Sequence, residues 1–299
     1  MRVRPFCALL LMLLILSLYR PAFSFAEESI RISHKARALQ PGEVVVIQVE
    51  SAEPLSKVEC VVLGKTFTGF TAESGRLWRA LVGIDLDARP AGYTTIVRTT
   101  DKSGRARDFE YRLSVRPKAF PTRHLTVDEK FVTPPPEVLD RIAAEAKRVE
   151  AIFAAVSDRR YWKGRFIPAV PGPQISSFGK RNVINGKPRS PHAGADFKGE
   201  TGTPISAPNA GRIVLADDLY FSGNTVIIDH GQGLYSYFAH LSQFEVKAGQ
   251  IVSKGDLLGQ VGATGRVTGP HLHWSMRLVG SRVDPLSLIE TLRTLTIDE

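Results

Sequence analysis

From about residue 165 onward the chain is punctuated by glycine and never sustains a long apolar run. Between the glycines stand TPISAP (203–208), GRIVLA (211–216), NTVIID (224–229), LYSYFAHL (234–241), QIVSKGDLLGQVG (250–262) and HLHWSMRL (271–278). Runs of this length, bounded by turn residues, read as strands, whereas helices need ten or more residues with apolar side chains three and four apart. None of these runs carries that helical pattern, so residues 165–299 are expected to form one domain of antiparallel strands joined by tight turns.

The front of the chain reads as β-structure too, with a different texture. GEVVVIQVES, KVECVVLG, LWRALVGID, YTTIVRTT and DFEYRLSVRP are strand-like runs within residues 27–117. Their spacing predicts a β-sandwich-like domain, immunoglobulin-like in outline, with a hairpin turn at Asp101-Lys102-Ser103-Gly104. Pro134-Pro135-Pro136 then marks a break. After it Val138, Ile142, Val149, Ile152, Phe153 and Val156 recur at helical spacing, which predicts a connector helix packed on one of the domains within a linker of residues 118–164. The basic residues of that helix are expected to form a solvated face. The fold class is therefore mainly β, with a helical connector between two β domains.

Residues 1–26 stand apart. Arg2 and Arg4 precede an apolar run from Phe6 to Leu18, and Ala22-Phe23-Ser24 supplies small residues for cleavage. This is the layout of a secretory signal peptide, and the run falls short of the roughly 18–20 residues a bilayer span needs. An exported protein of the periplasm or cell envelope is expected. Cleavage after residue 26 would remove Arg2, Arg4 and Arg20 but no acid, taking the net charge from +9 to +6. A moderately basic exported protein suits anionic polymers such as cell wall or a membrane surface, and export argues against nucleic acid. Cys60 would be the only cysteine left, expected as a small buried hydrophobe.

Five of the seven histidines fall between residues 192 and 273: His192, His230, His240, His271 and His273. In SPHAGADFKG, Asp196 stands four residues after His192, and in GPHLHWSM two histidines stand two apart. On strands, both spacings put side chains on one face. Imidazole nitrogen and carboxylate oxygen are good zinc ligands, and a catalytic zinc keeps three protein ligands with one position open. His192, Asp196 and one member of the His271/His273 pair would supply three. His240 and the other member remain as candidates to move protons in a hydrolytic reaction. His230, in IIDHGQG, is expected to cap a turn.

The segment from about residue 175 to 285 closely resembles the lysostaphin-like, or LytM-type, zinc metallopeptidases that cut peptidoglycan cross-bridges or stem peptides. The resemblance is carried by SSFGKR (176–181), HAGADF (192–197), GTPISAPNAGRIV (202–214), GNTVIIDHGQGLYSYFAHL (223–241), VKAGQIVSKGDLLGQVGATGRVTGPHLHW (246–274) and VDP (283–285). It covers a little over a third of the chain. It implies the duplicated-hybrid-motif fold, one zinc ion bound by His192, Asp196 and His273, catalytic roles for His240 and His271, and peptidoglycan as substrate. Ala195 stands where the family often has valine, and Phe238 where it often has tyrosine. The glutamate of an H-E-x-x-H zinc protease is absent, consistent with histidine as base.

Two rivals remain at this level. Degenerate relatives of the family lack part of the metal set and act as non-catalytic activators of cell-wall amidases; here all five residues are present. A biotinyl or lipoyl carrier hairpin would need a lysine in its central turn, and none stands there. The front domain is open to three readings: binding glycan, docking on a membrane surface or cell-envelope protein, or covering the cleft to hold the enzyme latent, as upstream segments of some family members do. Arg181 and a loop at 183–191 (VINGKPRSP) are read as framing the substrate groove. The sequence leaves open which bond is cut and what oligomer forms.

Overall fold

The computed structural model of the protein describes residues 30–71, 74–293 and 295, so the leader read in residues 1–26 lies outside the described residues. Among the described residues no helix is long and apolar enough to cross a membrane.

Seven strands come first: β1 (Ile30–Ala36), β2 (Val44–Ser51), β3 (Leu55–Val62), β4 (Lys65–Thr71), β5 (Leu77–Gly83), β6 (Ala91–Asp101) and β7 (Ala106–Val115). They form one antiparallel sheet in the order β1-β2-β5-β4-β3-β6-β7. Alternate residues point inward, as the two-residue period of a strand requires: Val58, Cys60 and Val62 on β3, and Thr95, Val97 and Thr99 on β6. Inward apolar residues from strands across the sheet share one core, so the sheet curls on itself like a barrel. Cys60 is buried as expected, and burial pushes its thiol up to about 12. The Asp101 turn closes the β6–β7 hairpin, its Oδ1 accepting from the backbone N–H of Ser103 (2.9 Å) and Arg105 (3.0 Å).

Strand β2 breaks the alternation, since Val44, Val45, Val46 and Ile47 are all buried. Its outer side is covered by the end of the chain. The helix Pro285–Arg293 lies against it, and the Val44 N–H donates to Ser287 Oγ at 2.9 Å. This helix is absent from the sequence reading, its nine residues being too few for a clear periodic signal.

The linker contributes β8 (Thr122–Leu125) and α1 (Leu139–Ala154). Helix α1 rests Val149, Ile152 and Phe153 on Leu215, Ile227 and Tyr235 of the second domain. Its basic residues are not merely solvated as expected. Arg141 donates to Asp218 Oδ2 (3.0 Å) and Arg148 to Asp217 Oδ2 (2.7 Å), pairs that are half exposed and orient the helix more than they stabilise it.

The second domain comprises β9 (Gln174–Ser176), β10 (Arg181–Ile184), β11 (Lys187–Pro188), β12 (Gly194–Phe197), β13 (Pro204–Ser206), β14 (Gly211–Leu219), β15 (Gly223–Gly231), β16 (Leu234–Phe244), β17 (Ile251–Val252), β18 (Leu257–Val261), β19 (Leu272–Leu278) and β20 (Ser281–Val283), closed by α2, the helix Pro285–Arg293. Its main sheet runs β17-β14-β15-β16-β19-β12-β9, with β18 and β20 joining β16 and β19. The stretch at 183–191, expected as a loop, is instead part of a short β10–β11 hairpin, and β8 pairs with β10 in parallel.

Charge fastens the two domains as well. Glu43, almost fully buried, accepts from Arg37 Nε and Nη2 (both 3.0 Å) and Lys118 Nζ (2.9 Å), while Arg37 Nη2 also reaches Asp284 Oδ2 at 2.7 Å. Burial opposes ionisation of Glu43, yet these cations hold its carboxyl below the usual range.

Candidate metal centre

Strand register does most of the assembly. In the β12–β19 pair, Asp196 stands directly opposite His273. His192, just before β12, is fixed by a two-way backbone clasp with the loop ahead of β10: its N–H donates to Lys180 O and its carbonyl accepts from Gly179 N–H, each at 2.8 Å. Three side-chain atoms thereby converge. His192 Nε2 lies 2.8 Å from Asp196 Oδ1 and 3.0 Å from His273 Nδ1, and His273 Nδ1 lies 2.9 Å from Asp196 Oδ1. Gly194 makes room for this, because a Cβ there would sit 2.7 Å from His273 Cε1 and 2.6 Å from the Trp274 carbonyl oxygen.

The donor set can be tested for a metal on its own chemistry. His192 Nδ1 is 3.1 Å from the Ser177 carbonyl oxygen, which can only accept, so that nitrogen carries the proton and Nε2 presents a lone pair. A carboxylate oxygen faces it. One proton on His273 Nδ1 serves the triangle only in part, whereas a divalent cation at its centre serves three lone pairs at once. A tetrahedral zinc with bonds of about 2.0–2.1 Å places its ligand atoms about 3.3 Å apart, so each edge has to open by only a few tenths of an ångström. The residues fit the ion, and among the described residues these three form a group able to hold one.

The outer partners fit too. Burial resists the charge on Asp196, but hydrogen bonds with His192 and His273 hold its carboxyl far below the usual carboxylate range. Its second oxygen, Oδ2, accepts from Arg123 Nη1 at 3.3 Å. Arg123 comes from the linker strand β8 and is itself held by Ser176 Oγ (2.8 Å) and Asn182 Oδ1 (2.7 Å). Such outer contacts orient ligands and tune affinity.

The other two histidines flank the triangle. His240 sits where β16 bulges, its pairing with β15 losing register between Asn224 and Val226, and it adopts φ +69. By strict alternation it would follow Phe238 into the core; the bulge re-aims it. Its Nδ1 lies 2.9 Å from the Thr264 carbonyl oxygen, which leaves Nε2 unprotonated. Burial, then the neighbouring His273 and His271, push its pKa down to about 3, so the ring is neutral at physiological pH. His271 is arranged alike, with Nδ1 2.8 Å from the Gly269 carbonyl oxygen and Nε2 3.8 Å from Asp196 Oδ1. The two rings are 5.1 Å apart between centroids.

His230 is neither in this group nor a turn cap. It is fully buried in β15, its Nδ1 donating to Ala210 O (2.8 Å) while Nε2 meets Ser236 Oγ (2.9 Å). His34 lies in the first domain beside Tyr111, and His124 lies on β8. Phe238 stacks on Trp274 on the core side, so its lack of a hydroxyl does not alter the groove, which Tyr237 lines. A cavity of about 350 Å³ lies over the five residues, bounded by Asn182 and Ile184 of β10, Leu125 of β8 and Phe153 of α1; Arg181 does not line it.

The sequence pattern of Peptidase family M23 matches residues 190–285, the stretch that builds this centre. A crystal structure of a Pseudomonas aeruginosa chain assigned to peptidase M23 is 37% identical, superposes with a TM-score of 0.67, and matches 85% of this chain and 96% of its own. The chain belongs to peptidase family M23. Among curated proteins, this M23 chain is 41% identical over 97 residues to the peptidoglycan DD-endopeptidase ShyA of Vibrio cholerae, covering 32% of this chain and 23% of that one. It is likewise 41% identical over 97 residues to the DD-carboxypeptidase/endopeptidase Mpg of Neisseria meningitidis, covering 32% and 22%. The matched region thus spans less than a quarter of those relatives' length.

Proposed function

We propose that the chain is a zinc-dependent metalloendopeptidase that hydrolyses peptide bonds of peptidoglycan, in cross-links or stem peptides, at the cell envelope. In this reading residues 165–299 are the peptidase domain, residues 27–117 a front domain and residues 118–164 the linker between them. His192, Asp196 and His273 would hold one zinc ion, with His240 and His271 as the catalytic histidines. The observation that carries the reading is a triangle of three potential metal-ligand atoms, 2.8–3.0 Å apart, flanked by two imidazoles whose carbonyl-bonded Nδ1 leaves Nε2 unprotonated. The activities for which ShyA and Mpg are named support peptidoglycan as substrate and a D,D-cross-link as the bond.

When bound, zinc supplies Lewis-acid chemistry, polarising the peptide carbonyl and lowering the pKa of a water to about 7. The protein's own groups do the rest. His240, neutral and with its Nδ1–H committed to Thr264, accepts the water proton at Nε2. His271, with its Nδ1–H committed to Gly269, turns Nε2 toward the same space as a second acceptor for that proton. The imidazolium so formed on one of the pair steadies the developing oxyanion through its Nε2–H and then gives that proton to the leaving amine. Arg123 keeps Asp196 from rotating by holding Oδ2.

The test is digestion of purified peptidoglycan by the protein, with fragments identified by mass. Cross-linked dimers should disappear, persist when a chelator is present, and disappear again once zinc is restored. Dimers left intact by zinc-loaded protein would refute the reading.

A further inference from the structure

The groove continues past the metal group. Strand β19 puts alternate side chains on one face, so His273, Ser275 and Arg277 form a single row that His271, the bridge residue just before the strand, extends, and all four line the same cavity. At about 3.3 Å per residue, Arg277 stands about 13 Å along the strand from His273.

Its surroundings are unusual for a half-buried cation. Arg37, Arg123 and Arg282 each meet carboxylates. Among the described residues, no carboxylate forms an ion pair with Arg277. Its Nη1 donates to its neighbour's carbonyl, Met276 O, at 3.3 Å, and its Cζ lies 5.1 Å from the Phe153 ring centroid. A guanidinium carries five N–H groups in a fork shaped for a carboxylate, so among the described residues four find no protein acceptor. Its cross-strand partner on β20 is Arg282, and like charges directly opposite are destabilising. Arg282 is compensated by Asp85 Oδ1 and Asp87 Oδ2, each at 2.6 Å. Asp85, whose charge does reach Arg277, already accepts from the N–H, Nε and Nη2 of Arg282 and from the Asp87 N–H. Burial and the charge of Arg282 together push the pKa of Arg277 down to about 10. The fold thus keeps a costly cation, short of acceptors, in line with the metal group.

We propose that Arg277 is a specificity-determining residue that pairs with a carboxylate of the substrate peptide about three or four residues from the scissile bond, the span that an extended chain of about 3.3–3.6 Å per residue covers in 13 Å. The inference rests on the peptidoglycan-peptidase reading and names which feature of the stem peptide the groove selects. The pairing is bidentate, formed in the ground state as well as the transition state, and is therefore felt mainly in KM.

The experiment compares two cross-linked stem-peptide dimers, one with its carboxylates free and one with them converted to primary amides. Both are cut by zinc-loaded wild type, Arg277→Gln and Arg277→Lys. Wild type should prefer the free acid at least tenfold in kcat/KM, chiefly through KM. Arg277→Gln should lose that preference and treat both dimers as wild type treats the amide, and Arg277→Lys should recover part of it. No preference in wild type, which needs no variant to measure, overturns the proposal; so does a Gln variant that keeps the full preference. A zinc-loaded wild type that cuts neither dimer refutes the peptidase reading itself, and the proposal with it.

Discussion

Gly194→Ala isolates the geometry of the metal triangle, because Gly194 has no positive φ and alanine costs nothing in backbone strain there. What alanine adds is a methyl 2.7 Å from His273 Cε1, 2.8 Å from His273 Nε2 and 2.6 Å from the Trp274 carbonyl oxygen. Ordinary contact begins near 3.4 Å, so the ring has to retreat by about 0.7 Å, or β12 and β19 have to part. Metal–ligand distances tolerate about ±0.2 Å. The shift is several times that, and the expected loss in zinc affinity is tenfold to hundredfold, about 1.4–2.8 kcal/mol. Competition against a chromophoric chelator reads it directly, with circular dichroism to confirm the fold. Gly269→Ala serves as control, since a methyl there meets nothing within 4 Å. A Gly194→Ala protein that binds zinc like wild type would show that His273 is not the ligand this packing fixes.

Other outcomes follow from the same site and its core. His240→Gln should lower kcat by about 10²–10⁴-fold while zinc content stays at the wild-type level; parallel loss of zinc would make His240 a ligand instead. Asp196→Ala should abolish zinc binding, measured by metal analysis after dialysis, and retention of stoichiometric zinc would contradict its place in the triangle. His230 gives a pH signature. Burial lowers its folded pKa to about 4 from 6.5, so its stabilising share is complete above about pH 6.5 and is lost as pH falls toward 4. Urea unfolding of metal-free protein should therefore lose about 2 kcal/mol less between pH 7 and pH 5 in His230→Gln than in wild type. Equal slopes would mean that His230 titrates normally.

Much of the architecture was legible because the physics was local. Short apolar runs bounded by turn residues exposed β2, β3, β5, β6 and β7, with period-two burial clearest on β3 and β6, and Asp101 announced its hairpin through side-chain bonds to residues two and four ahead. Strands β1 (IRISHKA) and β4 (KTFTGFT) were missed because polar residues interrupt their apolar signal. The histidines and Asp196 were found as parts of a possible metal site from their spacing alone, though strand alternation could not separate His271 from His273. Their division depends on a cross-strand register, Asp196 opposite His273, that no local pattern encodes. The bulge that turns His240 toward the groove is equally silent in sequence. Arg277 could have been found, standing four residues after His273 on the same strand face. Arg123 could not, for nothing links a linker arginine to a carboxylate 73 residues away.

That distant arginine bears on how far the halves of this protein can be separated. Strand β8 is the parallel neighbour of β10, and the same short segment stations Arg123 on the free oxygen of Asp196. A chain trimmed to begin at Arg165 therefore sheds more than the front domain. It strips the short β10–β11 hairpin of its supporting edge, uncovers the Leu215, Ile227 and Tyr235 surface beneath α1, and lets the Asp196 carboxylate swing. Such a fragment would report on the loss of the linker's hold on Asp196 as much as on the loss of the front domain.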